Sequence, residues 1–324
     1  MRGGKVASVA ALLLAACSTS APPVHSPDGY DILYTGSVWG GNLAVANGTV
    51  YFTTFTDDDS TVSAHSVRAV SRDGGSVDVL WRSTTAQIFG YGLAIAGGDL
   101  YWSEALDGDP PAGAGFFRAP IGGGDRTQLG QFQTSGAPYN GVVADETAAF
   151  ASNGDILTVP IAGTSATTLS TAPGANWLGL QGELLYFTSG QSLMSLPRTG
   201  GAPSTLASFS TAIANQFDLD RDAAYVQTDS AIVRVPLDGS AQSMYPVGTG
   251  TPSLVVKGTD AFYVDAPLDT GDDQILRVPL SGDPVQVLAT NLHYVFSLAI
   301  DDRYVYFAQC ACSHDGFIGR IALP

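Results

Sequence analysis

The sequence predicts an all-β fold, a seven-bladed β-propeller of four-stranded blades, and three observations predict it. A ten-residue pattern typified by Leu298 to Phe307, LAIDDRYVYF, occurs seven times without an insertion. Five of the repeats then carry a Pro and a Gly three residues apart. No amphipathic 3.6-residue pattern runs for three turns after the first residues, so helix is nearly excluded.

The repeated pattern has an apolar residue, a second one two positions later, a polar turn, and an aromatic at offset eight. Its copies begin at Leu43, Leu93, Val142, Leu178, Phe217, Leu254 and Leu298. The aromatics are Tyr51, Tyr101, Phe150, Tyr186, Tyr225, Phe262 and Tyr306. Each copy reads as the first two strands of a blade. The Pro and Gly pairs are Pro120 and Gly123, Pro160 and Gly163, Pro197 and Gly200, Pro236 and Gly239, and Pro279 and Gly282. Pro lacks an amide donor and Gly tolerates a tight turn, so each pair marks the passage from third strand to fourth. The fourth strands carry Leu80, Leu129, Leu169, Leu206, Met244 and Leu288. A mean spacing of about 42 residues between copies suits four short strands.

The seventh copy reaches Leu323-Pro324 before a fourth strand. Asp28-Gly29 followed by YDILYTG reads like Asp238-Gly239 followed by SAQSMYPVG, so residues 30 to 36 are expected to supply the missing outermost strand. Pairing the two ends in one sheet closes the ring and leaves no blade with an unfilled face.

The expected organisation is a leader at residues 1–16, a tether at 17–27 and the propeller at 28–324. The leader places Arg2 and Lys5 before an apolar run from Val6 to Leu14, then Leu14-Ala15-Ala16-Cys17, the order of zones in a secretory signal. No later run approaches the roughly 20 apolar residues of a membrane span, and the chain reads as soluble after its leader. Ser18 to Pro27 reads as a flexible linker.

Formal charge is -16, and removing residues 1–16 deletes Arg2 and Lys5 and no acid, giving -18 with Lys257 as the one lysine. Such a surface repels phosphate backbones and lacks a basic stripe, so nucleic acid is not an expected partner. Cations and basic partners remain compatible with it.

The Leu-Ala-Ala-Cys ending resembles the lipobox of bacterial lipoproteins. The resemblance implies cleavage before Cys17, lipid on that cysteine, and attachment to a membrane outside the cytoplasm. The repeats resemble those of exported bacterial propellers with YWTD-like or NHL-like blades, most plainly at Leu100-Tyr101-Trp102-Ser103-Glu104. YWTD rings usually have six blades where seven are counted here, and the resemblance bears on fold alone.

Two features of one face, that of the loops leading into each blade and joining second strand to third, suggest sites. The first is a raised acidic half-rim formed by the long connections of blades one, two, six and seven. It carries Asp57, Asp58, Asp59, Asp107, Asp109, Asp269, Asp272 and Asp273. Converging oxygens of this kind would suit calcium, although no stretch has the spacing of a known calcium loop. The second is a set of residues just before the first strands, around the channel mouth: Asn42, Tyr91, Asn140, Asn176, Trp177, Asn215, His293 and Tyr294. Amides interleaved with aromatics suit a small polar ligand, with ring faces for sugars. Asn also caps local turns by itself.

Cys310 and Cys312, near His314 and Asp315, admit a disulfide, two thiols or part of a soft-metal set. A disulfide across one residue needs a bend in the chain and would stiffen only locally. For catalysis the inventory is thin. The glutamates are Glu104, Glu146 and Glu183, and His293 is the one histidine near the mouth. No G-x-S-x-G elbow occurs. The expected function is therefore binding or interaction with an envelope protein or small polar ligand, by a monomer. The alternative is a metal-dependent hydrolase or lyase of the propeller lactonase type.

Overall fold

The computed structural model describes residues 23–36, 38, 43–54, 66–82, 89–105, 114–132, 141–211, 213–248, 250–266, 272–310 and 316–324. They form seven antiparallel sheets in a ring, each a four-stranded blade, with no helix among them. In blade 4, Leu178–Gln181, Leu184–Ser189, Ser192–Pro197 and Ser204–Ser208 run from the axis outward. In blade 3 the second and third strands are one span, Ala148–Pro160, which folds back at Gly154 (φ 80°) and is closed by the Ile161 N–H donating to Thr147 O.

The repeat dictates this because each offset-eight aromatic fills a seam between blades. All seven are buried, Tyr51 being the most exposed at 6%. Seven hydrophobic clusters result, one per seam. Tyr186, for example, packs with Phe217 and Val226 between blades 4 and 5, and Phe150 with Leu178 and Phe187 between blades 3 and 4. A fully buried aromatic contributes about 1.5–3 kcal/mol, so the seams carry the stability of the ring.

The Pro and Gly pairs behave as expected. In all five, the Gly N–H donates to the carbonyl of the Pro three residues earlier. Gly123, Gly200, Gly239 and Gly282 have φ between 78° and 92°, whereas Gly163 makes the same turn without a positive φ. One fourth strand departs from the expectation. Met244 is 66% exposed, and its neighbour Tyr245 packs inward instead, so this strand sits one residue out of the expected alternation.

Asp31–Gly36 pairs antiparallel with Gly316–Ala322 and completes blade 7 from the other end of the chain. Val24–His25 adds a short fifth strand outside it. Tyr30 enters the seam between blades 6 and 7, and Leu33 and Tyr34 enter that between blades 7 and 1. The closing strand therefore fills two seams.

The two faces of the ring follow from the topology. The lower face bears the turns from first to second strand and from third to fourth. The upper face bears the loops leading into each blade and the connections from second to third strand.

Candidate functional site

On the ring axis lies a cavity of about 170 Å³, lined by residues of all seven inner strands. Three of its lining side chains break the apolar pattern: Gln216, Asp218 and Ser297. Asp218 occupies the second pattern position, where the other copies have Ala44, Ala94, Val143, Gly179, Val255 and Ala299. Its carboxylate accepts the N–H of Leu219 at 2.8 Å and, across the seam, that of Val256 at 2.6 Å. Withdrawal from water pushes its pKa up to about 6, against the lowering effect of those two bonds.

Of the expected mouth residues, Asn176 and Trp177 stand where the chain passes into blade 4. Asn176 works through its backbone. Its N–H donates to Thr188 O, and its carbonyl accepts Ser152 Oγ–H at 2.6 Å, which ties blade 3 to blade 4. Tyr91 and Asn215 lie in the inner strands of blades 2 and 5 where the register shifts, with Phe89 opposite Glu104 and Leu93 opposite Trp102, and with Ile213 opposite Thr228 and Phe217 opposite Val226. These bulges help to set where the upper ends of both inner strands lie. Asn42, Asn140 and the side chains of Tyr91 and Asn215 are outside the described residues, as are Cys17, Cys312, His314 and the aspartates at 57, 58, 59, 107, 109 and 269. Cys310 is buried.

His293 and Tyr294 lie at the upper rim between the outer strand of blade 6 and the inner strand of blade 7. Their backbone is pinned at three consecutive residues. The His293 N–H donates to Gln309 Oε1 at 3.0 Å, Tyr294 O accepts the Cys310 N–H at 3.0 Å, and the Val295 N–H donates to Asp273 Oδ2 at 2.7 Å. Gln309 and Asp273 are themselves buried. Held this way, Tyr294 takes a φ of 52°, a conformation an aromatic residue rarely adopts. The residue is 59% exposed, and its ring stacks on that of Phe296 at 6.3 Å and 12°. Beside it, His293 Nδ1 lies 3.9 Å from Asp272 Oδ1, and both side chains are more than half exposed. Burial, with nearby Asp265 and Asp272, pushes the Asp273 carboxyl up, although the Val295 N–H and His293 pull the other way. Asp265 is raised by burial.

Glu104, in the YWTD-like copy, has a structural position. It is 1% exposed, accepts Trp102 Nε1–H at 2.9 Å and pairs with Arg126, whose guanidinium lies 4.4 Å from the Trp81 ring centre and 4.3 Å from that of Phe117. Among the described residues, no three His, Cys, Asp or Glu side chains come together as a metal-holding set.

Sequence reasoning missed the axial Gln216, Asp218 and Ser297 and the pinning role of Gln309 and Asp273. A signal for Asp218 was present, since it is the one carboxylate at its repeat position. The pinning pairs join separate strands and left no local pattern.

No family model matches the chain, and no curated protein matches it in sequence. Solved structures do resemble it. Oligogalacturonate lyase in complex with manganese aligns with a TM-score of 0.65 at 9% identity, covering 94% of this chain and 96% of the lyase. A chain of the mitotic checkpoint complex aligns at 0.62 and 14% identity over 99% of both chains. The β-propeller domain of the Trilobed protease from Pyrococcus furiosus aligns at 0.62 and 6% identity, covering 89% and 96% respectively. At these identities the likeness is one of fold: the chain is a β-propeller, and propellers host many unrelated functions.

Proposed function

We propose that the chain is a binding module of the cell envelope, lipid-anchored through Cys17, that contacts a small polar ligand or an envelope partner with its upper face. The observation that carries this is the pinning of Tyr294. An exposed aromatic in a strained conformation, fixed by three backbone hydrogen bonds from residues of blades 6 and 7, is pre-organised for contact. Such strain has a use at a binding surface and none in a seam. The leader and the Leu-Ala-Ala-Cys sequence support the anchor.

The test places a photo-crosslinking residue at position 294, at 244 on the outer wall, or at 302 on the lower face, in protein made in its own cells. A discrete adduct from 294 alone is expected, together with acyl chains on Cys17 by mass spectrometry. Equal adducts from all three positions, or none from 294, would remove the upper rim as the contact surface.

A further inference from the structure

Resting on that reading of the rim, we infer that its occupant presents a planar cation, the arginine side chain of a basic peptide segment. The Tyr294 ring stacked on Phe296 offers a broad face at the surface. The carboxylates nearby outnumber the one imidazole, that of His293. Asp272 is exposed beside His293, and Asp265 and Asp273 stand close enough for Asp265 and Asp272 both to raise the Asp273 carboxyl.

Three of the four Lys and Arg side chains of blades 6 and 7 are engaged elsewhere, and the fourth, Arg303, belongs to the lower-face turn. Lys257 donates to Asp301 O, Arg277 pairs with Asp260 at 2.8 Å, and Arg320 pairs with Asp31 at 3.0 Å, all toward the lower face. None of these three cations faces the rim carboxylates. A phosphate or acidic sugar is repelled there. A neutral sugar would use the ring and make no use of the charge. A guanidinium uses both, lying flat on the aromatic face while its N–H groups meet the Asp272 carboxylate.

The test titrates the full-length protein with the tetrapeptide Gly-Arg-Gly-Arg, with Gly-Lys-Gly-Lys and with a neutral disaccharide, at about 150 mM salt to suppress diffuse attraction. The arginine peptide is expected to bind best. Tyr294→Ala, which leaves the net charge unchanged, should weaken it roughly three-fold or more. Asp272→Asn should also weaken it, whereas Asp302→Asn on the lower face should not. Tyr294→Gly, which accepts the backbone conformation, serves if the alanine variant folds poorly. Binding of the disaccharide that is lost in Tyr294→Ala would overturn the inference in favour of a polyol surface. Equal weakening by Asp302→Asn would reduce it to diffuse charge, and no peptide binding at all would also overturn it. Should the peptide fail while position 294 still crosslinks, the contact surface stands and the cationic occupant falls.

Discussion

The lower and upper faces solve the same problem, the ends of strands, in opposite ways. On the lower face, aspartates at offset three close the turns in three of the seven copies. Asp145 Oδ1 accepts the N–H groups of Thr147 and Ala148, Asp220 those of Asp222 and Ala223, and Asp301 those of Arg303 and Tyr304. The second oxygen follows the aromatic. In two of these copies offset eight is Tyr and its hydroxyl donates to the same carboxylate, Tyr225 to Asp220 at 2.7 Å and Tyr306 to Asp301 at 2.8 Å. Where it is Phe150, Arg198 of the next blade donates to Asp145 at 2.7 Å instead. Each of these three carboxylates is spent within the fold. The upper rim uses buried groups to hold exposed ones, and its exposed groups face outward. The difference teaches that the lower face spends these carboxylates on closing turns, whereas the upper rim leaves Asp272 and Tyr294 exposed.

The largest break should come from the strand that serves both faces. Deleting residues 23–36 removes Tyr30, Leu33 and Tyr34 from two seams. That forfeits roughly 5–9 kcal/mol, comparable with the whole stability of a domain. Calorimetry should show one cooperative transition lost or lowered throughout, whereas independent melting of a part would separate the blades energetically.

On the lower face, Asp301→Ala should cost about 2 kcal/mol in urea unfolding, because it strands the buried Tyr306 hydroxyl and unties the turn at Arg303 and Tyr304, while Arg72 keeps Asp302. An upper-rim counterpart, Asp272→Ala, should stay within about 0.5 kcal/mol.

Titration should separate the lower face from the axis. Burial raises Asp31 and Asp301, but hydrogen bonds outweigh it: from His25 and Arg320 for Asp31, and from Arg303, Tyr304, Tyr306 and Arg72 for Asp301. Arg198 above all holds Asp145 well below the usual range. Their stabilisation is present above the unfolded carboxylate pKa of about 3.9 and is lost as pH falls through the lower folded values. Asp218 has the opposite sign. With a folded pKa of about 6, it makes the folded state bind its proton more tightly. Stability then falls as pH rises from about 4 to 6 and stays lower above. Asp218→Asn should flatten that limb, an effect on the order of 2 kcal/mol, and an unchanged pH profile would show that Asp218 does not titrate there.

Smaller effects reach the rim itself. Tyr294→Gly should raise thermal stability by about 1 kcal/mol, because Gly takes a positive φ without strain, while the proposed arginine-peptide binding is lost. The least should come from Gln227→Leu. The Gln227 amide is 1% exposed and has no hydrogen-bond partner among the described residues. An apolar replacement is expected to be neutral or stabilising by about 0.5 kcal/mol, and a clear loss of stability would reveal a partner for that amide.

Much of this architecture was legible in the chain because it repeats. Seven aromatics at one offset and five Pro-Gly turns specify strand order and seams, since each blade buries its face only against the next. Met244 and Tyr245 were not legible, because a two-residue period cannot say which of two adjacent apolar residues faces inward. The strand starts around Tyr91 and Asn215 were misjudged in their regularity, since a bulge adds residues without changing composition. The rim was half legible. His293 and Tyr294 stood out as residues, but Gln309 and Asp273 reach them only through the folded ring.

The pairing of Asp31–Gly36 with Gly316–Ala322 also sets a clock. About 280 residues separate the two strands, and synthesis at about 5–20 residues per second delays the second by roughly 14–56 s. Throughout that interval the first strand has no sheet, and its Tyr30, Leu33 and Tyr34 have no seam to enter. Blades 2 to 5 can meet their neighbours as they emerge, but blade 7 cannot. The ring is therefore the last thing to form, and its long-range closure is the step most open to delay or to mispairing with another chain.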